Sequence, residues 1–101
     1  GAVRECREEL GVTIDIPATP VLIDWMPPAL GWSDAIEFIY DAGVVEPSLA
    51  AIMNPADGEI GHLHWVDPAD VPAHVTELSA RRIAAILADS TPRATENGFS
   101  L

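Results

Sequence analysis

Val3, Cys6 and Leu10 recur at helical spacing opposite Glu5, Glu8 and Glu9, which predicts a helix over residues 2–10 that Gly11 stops. Residues 12–16 alternate apolar and polar and read as a short strand closed by Pro17. A second strand is expected over 19–26, rich in β-branched residues and ended by Pro27 and Pro28. A loop over 27–33 follows, then a third, more apolar strand over 35–40. The stretch 44–54 is open between strand and helix, with one helical turn at Pro47 to Ile52, and 55–58 reads as a turn. Residues 60–66 alternate, with Gly61, Leu63 and Trp65 on one face and His62, His64 and Val66 on the other, as in a strand. Asp67 before Pro68 is a cap with proline in the first turn. Residues 77–88 form an amphipathic helix with Leu78, Ile83, Ile86 and Leu87 near one stripe and Arg81 and Arg82 toward solvent. After Asp89 there is little to bury, and a mobile tail over 89–101 is expected. This order predicts a single α+β or layered α/β/α domain over 1–88, with a mixed sheet flanked by helices.

Composition narrows what such a domain can do. The chain has 101 residues, 49% of them hydrophobic, enough for a core. Five Arg and no Lys against sixteen Asp and Glu give a net charge of −11. That balance excludes general binding to nucleic acid or to an anionic membrane, both of which need basic patches. A nucleotide held through metal ions stays open, because the metal brings the positive charge. One cysteine gives no internal disulfide, and no apolar run reaches the roughly 20 residues of a membrane span, so a cytoplasmic protein is expected.

The helix at 2–10 breaks two local rules. Like charges three and four apart cost about 0.2–0.5 kcal/mol each, and Glu8 and Glu9 occupy the last turn, where the helix dipole disfavours them by about 0.3–1 kcal/mol. Hard divalent cations take carboxylate oxygens and would offset that repulsion, so this face is the candidate metal site. The same stretch, Arg4-Glu5-Cys6-x-Glu8-Glu9-x-Gly11-Val12, resembles the second half of the Nudix box, G-x5-E-x7-R-E-U-x-E-E-x-G-U, where U is a bulky aliphatic. Cys6 stands where a larger aliphatic is usual. The first half of the box, with the opening strands of the fold, would lie upstream of Gly1.

The resemblance implies a Nudix-like mixed sheet lacking its N-terminal strands. It also implies a hydrolase that cleaves the diphosphate linkage of a nucleoside diphosphate joined to another group. Glu5, Glu8 and Glu9 would bind Mg²⁺ or Mn²⁺, and Arg4 would hold a glutamate in its ligating pose. Glu8, Glu9 and Glu59 would be the catalytic carboxylates. Glu59, after the Asp57-Gly58 turn, would ligate metal or act as general base; Asp57 is a weaker candidate for that work. Metals on one carboxylate face neutralise phosphoryl oxygens and acidify water, the two requirements of this chemistry.

Other residues add less. His62 and His64 share a strand face but lack the further ligands of a zinc site, His74 is isolated, and Ser33, Ser48 and Ser79 have no nucleophile-elbow context. Trp25 and Trp32 are candidates to stack on a base, with Tyr40 read as core. A different function class stays open: a non-catalytic Nudix-like module that binds a nucleotide or a protein partner, or a second copy of itself, through an open sheet edge.

Overall fold

The computed structural model describes residues 1–53 and 63–101. The chain divides into two compact units: Gly1–Pro17 with Asp41–Trp65, and Ala18–Tyr40 with Val66–Leu101. Among the described residues, the first is a helical unit and the second is built on a sheet. The expected α+β class with a mixed sheet is borne out.

In the helical unit, α1 spans Ala2–Leu10 and α2 spans Pro47–Ile52, the latter opened by proline in its first turn and making the 47–52 part of the ambiguous stretch helical, as the one-turn alternative had it. The strand expected over 12–16 does not form. Val12 and Ile14 are buried, so their alternation does report one inward face. No strand of this unit, among the described residues, offers the backbone groups that pairing needs. Residues 63–66 are likewise irregular, and Trp65 is 72% exposed; this half of the expected 60–66 strand buries no common face. Residues 60–62, and the turn expected at 55–58, lie outside the described residues.

The sheet unit holds β1 (Leu22–Met26), β2 (Ala35–Ile39), β3 (Arg93–Glu96) and β4 (Phe99–Ser100), in the spatial order β2-β1-β3-β4. β1 pairs antiparallel with β2 and parallel with β3, while β3 and β4 form a hairpin. The segment expected to be a mobile tail therefore supplies a central strand. Its apolar content is low because its inward residue, Thr95, contributes a hydroxyl to a polar core. β2, expected to be among the more apolar strands, is an edge whose Ile36 and Phe38 are exposed, opposite Trp25 and Ile23 of β1 in register.

α3 spans Glu77–Ala88, the extent read from its periodicity. Thr76 caps it, its Oγ1 accepting from Ser79 N at 3.2 Å. A 3₁₀ segment, Pro68–Ala73, precedes it, capped by Asp67, whose Oδ1 accepts from Ala69 N at 3.0 Å. Two details of α3 depart from expectation. Leu87 is exposed, and Arg81 and Arg82 turn inward instead of toward solvent. Position 82 lies four residues after Leu78 and four before Ile86, in the middle of the stripe that meets the sheet. Arg93, at the start of β3, donates to the carbonyl oxygens of Ala85 (2.6 Å) and Asp89, satisfying groups the helix C-terminus leaves open.

The buried centre of this unit is polar. Asp24 is 0% exposed; its Oδ2 accepts from Arg82 Nε at 2.6 Å, and its Oδ1 accepts from Thr95 Oγ1 at 2.6 Å and Gly98 N at 2.8 Å. Burial by itself pushes the Asp24 carboxyl up. The hydrogen bonds from Thr95, Gly98 and Arg82, with the Arg82 charge, outweigh it and hold the group below its ordinary value of 3.8. Arg82 Nη2 is buried with no partner among the described residues.

Two tight turns join strands of the sheet unit. Asn97 and Gly98 (φ 50° and 79°) close the β3–β4 hairpin with the residue pair that a type I′ turn favours. Leu30 and Gly31 (φ 51° and 84°) make the same kind of turn between Ala29 and Trp32, which bridge each other at the tip of the β1–β2 loop. A leucine in the left-handed region costs about 1–2 kcal/mol, and Leu30 is 98% exposed, so packing returns nothing. Leu30→Gly is therefore expected to raise stability by about 0.5–1 kcal/mol once glycine's larger unfolded-state entropy is subtracted, read as a higher urea midpoint.

Candidate functional site

α1 exists as a helix because its three apolar positions fall on one side and Gly11 supplies the left-handed stop (φ 73°, ψ 13°), donating its N–H to Arg7 O at 3.0 Å. Glu5, Glu8 and Glu9 accordingly stand at i, i+3 and i+4. Glu5 and Glu8 are exposed and Glu9 is half-buried. Arg4 reaches Glu8 at 3.9 Å across solvent, too long for a hydrogen bond and worth about 0–0.5 kcal/mol. Cys6 is a free, half-buried thiol on the other side.

Among the described residues, no group of three or more His, Cys, Asp or Glu side chains is placed to hold one metal ion. The three glutamates lie along the helix without converging, so α1 alone is not a closed metal cage. Glu59, Asp57 and His62 lie outside the described residues. His64 is exposed in irregular chain, and His74 ends the 3₁₀ segment.

The aromatic candidates sit in the sheet unit and do not come together. Trp25 belongs to β1 and faces outward beside Ile36. Trp32, 80% exposed, stands on the β1–β2 loop and lines a cleft of about 370 Å³ with Met26, Pro27, Leu30, Ala35 and Asn97. Tyr40, read as core, lies at the surface.

Sequence reasoning missed the residues that organise this cleft. Asn97 N donates to Trp25 O at 2.9 Å, and Asn97 O accepts from Arg81 Nε at 2.9 Å, while the Arg81 guanidinium lies 4.5 Å from the Phe99 ring centroid. The Asn-Gly pair was the available signal, since it marks a hairpin wherever alternating residues flank it. Among the described residues, no helix is long and apolar enough to cross a membrane. Comparison of the chain with protein-family models, with curated proteins and with solved structures finds no match.

Proposed function

We propose that this chain belongs to a Nudix-type hydrolase with a Nudix-like layered fold, cleaving the diphosphate linkage of a nucleoside diphosphate derivative with Mg²⁺ or Mn²⁺. The observation that carries the reading is α1: a stretch matching the Nudix pattern from Arg4 to Val12 stands on a helix closed by a left-handed glycine, with three carboxylates on one side. The carboxylates do not converge, so the reading requires a ligand beyond α1, and Glu59 is the one the sequence supplies. Arg4, already near Glu8, would restrain that carboxylate when a metal draws it in.

A thermal melt at fixed ionic strength tests this. With Mg²⁺ or Mn²⁺ at ten times its dissociation constant, the chain is expected to gain about 1.4 kcal/mol, a shift of about 7 °C at this size. Glu8→Gln/Glu9→Gln is expected to melt at the same temperature with and without metal. An unresponsive parent chain would end the hydrolase reading.

That result would leave the second reading, a partner-binding module. It is favoured by the open edge of β2 and by four apolar side chains, Ile23, Trp25, Ile36 and Phe38, exposed in two cross-strand pairs. Strand addition to β2, by a second copy or another protein, would pair the edge and set new side chains beside Ile36 and Phe38.

A further inference from the structure

We propose that the Trp32 cleft of the sheet unit binds a neutral planar heteroaromatic ring of the adenine type, stacked on the indole and read along its edge by the Asn97 amide. The cleft measures about 370 Å³, within the range of small-molecule sites. No charged side chain lines it, in a chain with 16 carboxylates, so it suits a neutral ring in preference to a cation or a phosphate. An indole face holds any flat base, and the edge contact then chooses among them.

Asn97 is built to make that choice. Both of its main-chain groups are engaged, N–H to Trp25 and C=O to Arg81, so the side chain stands on a fixed stem. The amide itself has no hydrogen-bond partner among the described residues. An asparagine amide presents one donor and one acceptor side by side, the complement of the adjacent N6–H and N7 of adenine.

Leu30 lines the same cleft. The loop tip holds Leu30 at φ 51° with its side chain 98% exposed, although glycine would sit there without strain. The two hydrogen bonds between Ala29 and Trp32 hold that turn closed and keep Leu30 on the lining of the same cleft as the indole. Leu30 and Trp32 thus both line the cleft from one turn.

The test uses adenosine, which carries no phosphate and needs no metal, so its outcome is separate from that of the metal melt. Titration is followed through the indole N–H resonances in ¹H–¹⁵N spectra of the whole chain. The Trp32 signal is expected to shift saturably, and Trp32→Ala to weaken binding about 5- to 150-fold. Asn97→Gly, which keeps the turn and its melting temperature, is expected to bind adenosine and uridine equally, whereas the parent prefers adenosine at least about fivefold. No shift at about 10 mM adenosine would overturn the proposal, given how weakly such a site would then bind. So would equal affinity for adenosine and uridine in the parent, or unchanged binding in Trp32→Ala.

Discussion

Asp24→Ala is expected to cost the sheet unit about 3–5 kcal/mol, a large share of the 5–15 kcal/mol that a domain commonly holds. The loss of one carboxylate strands three groups at once: the Arg82 guanidinium, the Thr95 hydroxyl and the Gly98 N–H. Arg82 is the costly one, because a charge left unpaired away from water loses its hydration and gains nothing in return. In urea, with slopes of about 1–3 kcal/mol per M, the midpoint should fall by about 1–5 M. A double replacement, Asp24→Leu with Arg82→Leu, is expected to be much less damaging than the single change, because no charge remains inside. If the two single variants and the double variant lose equal stability, the pair is not what joins α3 to the sheet.

The same carboxylate sets a pH dependence of known sign. Its pKa in the folded protein lies below the ordinary 3.8, so the folded state binds this proton less readily than the unfolded chain does. The stability it confers is fully present above about pH 5 and is lost as pH falls through 3.8 and on through the depressed folded value. Acid also relieves the repulsion within a chain of net charge −11, which acts in the opposite direction. The comparison that isolates Asp24 is therefore the parent against Asp24→Asn. Their stability difference should be constant above pH 5 and shrink toward pH 3.

Gly98→Ala is expected to be nearly as harmful, at about 2–4 kcal/mol. A Cβ there would lie 2.8 Å from Arg81 Cβ and 3.4 Å from Arg82 N, on a backbone at φ 79°. Arg81 Cβ is rooted in α3 and cannot swing away, so the turn must lift and carry the Gly98 N–H off Asp24. Gly31→Ala is the control: φ is 84° there, but nothing lies within 4 Å, so only the backbone strain of about 1–2 kcal/mol remains. Parallel urea melts of the two variants separate the steric clash from the backbone term. Equal losses would show that α3 does not press on the hairpin turn.

Both predictions turn on residues that a pattern of apolar positions hides. α1, β1, β2 and α3 are legible because their periods are local and the stops of the first two (Gly11, Pro27) are chemical. Asp24 and Arg82 are not, because an apolar pattern assigns Arg82 to solvent and says nothing of Asp24. Yet Asp24 follows Leu22 by two residues, on the strand's inward face, and Arg82 occupies the centre of the helix stripe. Two opposite charges, each at the buried phase of its own element, are a readable signal for a pair. β3 escapes for a related reason: it pairs in parallel with β1 across 71 positions, which no local window contains. At 12–16 and 63–66 alternation predicts strands that do not form, because it marks an inward face or none and says nothing of a pairing partner. The carboxylate face of α1 was legible down to its glycine stop, while its remaining ligand candidate, Glu59, lies outside the described residues.

The parallel pairing of β1 with β3 also sets a timetable for biosynthesis. Asp24 and Thr95 are 71 positions apart, so at 5–20 residues per second a ribosome makes the carboxylate about 4–14 s before the hydroxyl that receives it. Until then Leu22 and Asp24 have no β3 beside them, and β1 presents a bare edge to its neighbours on the polysome. The sheet unit is thus obliged to fold late, and its yield in a cell should depend more on how quickly translation crosses that interval than on the final strength of the fold.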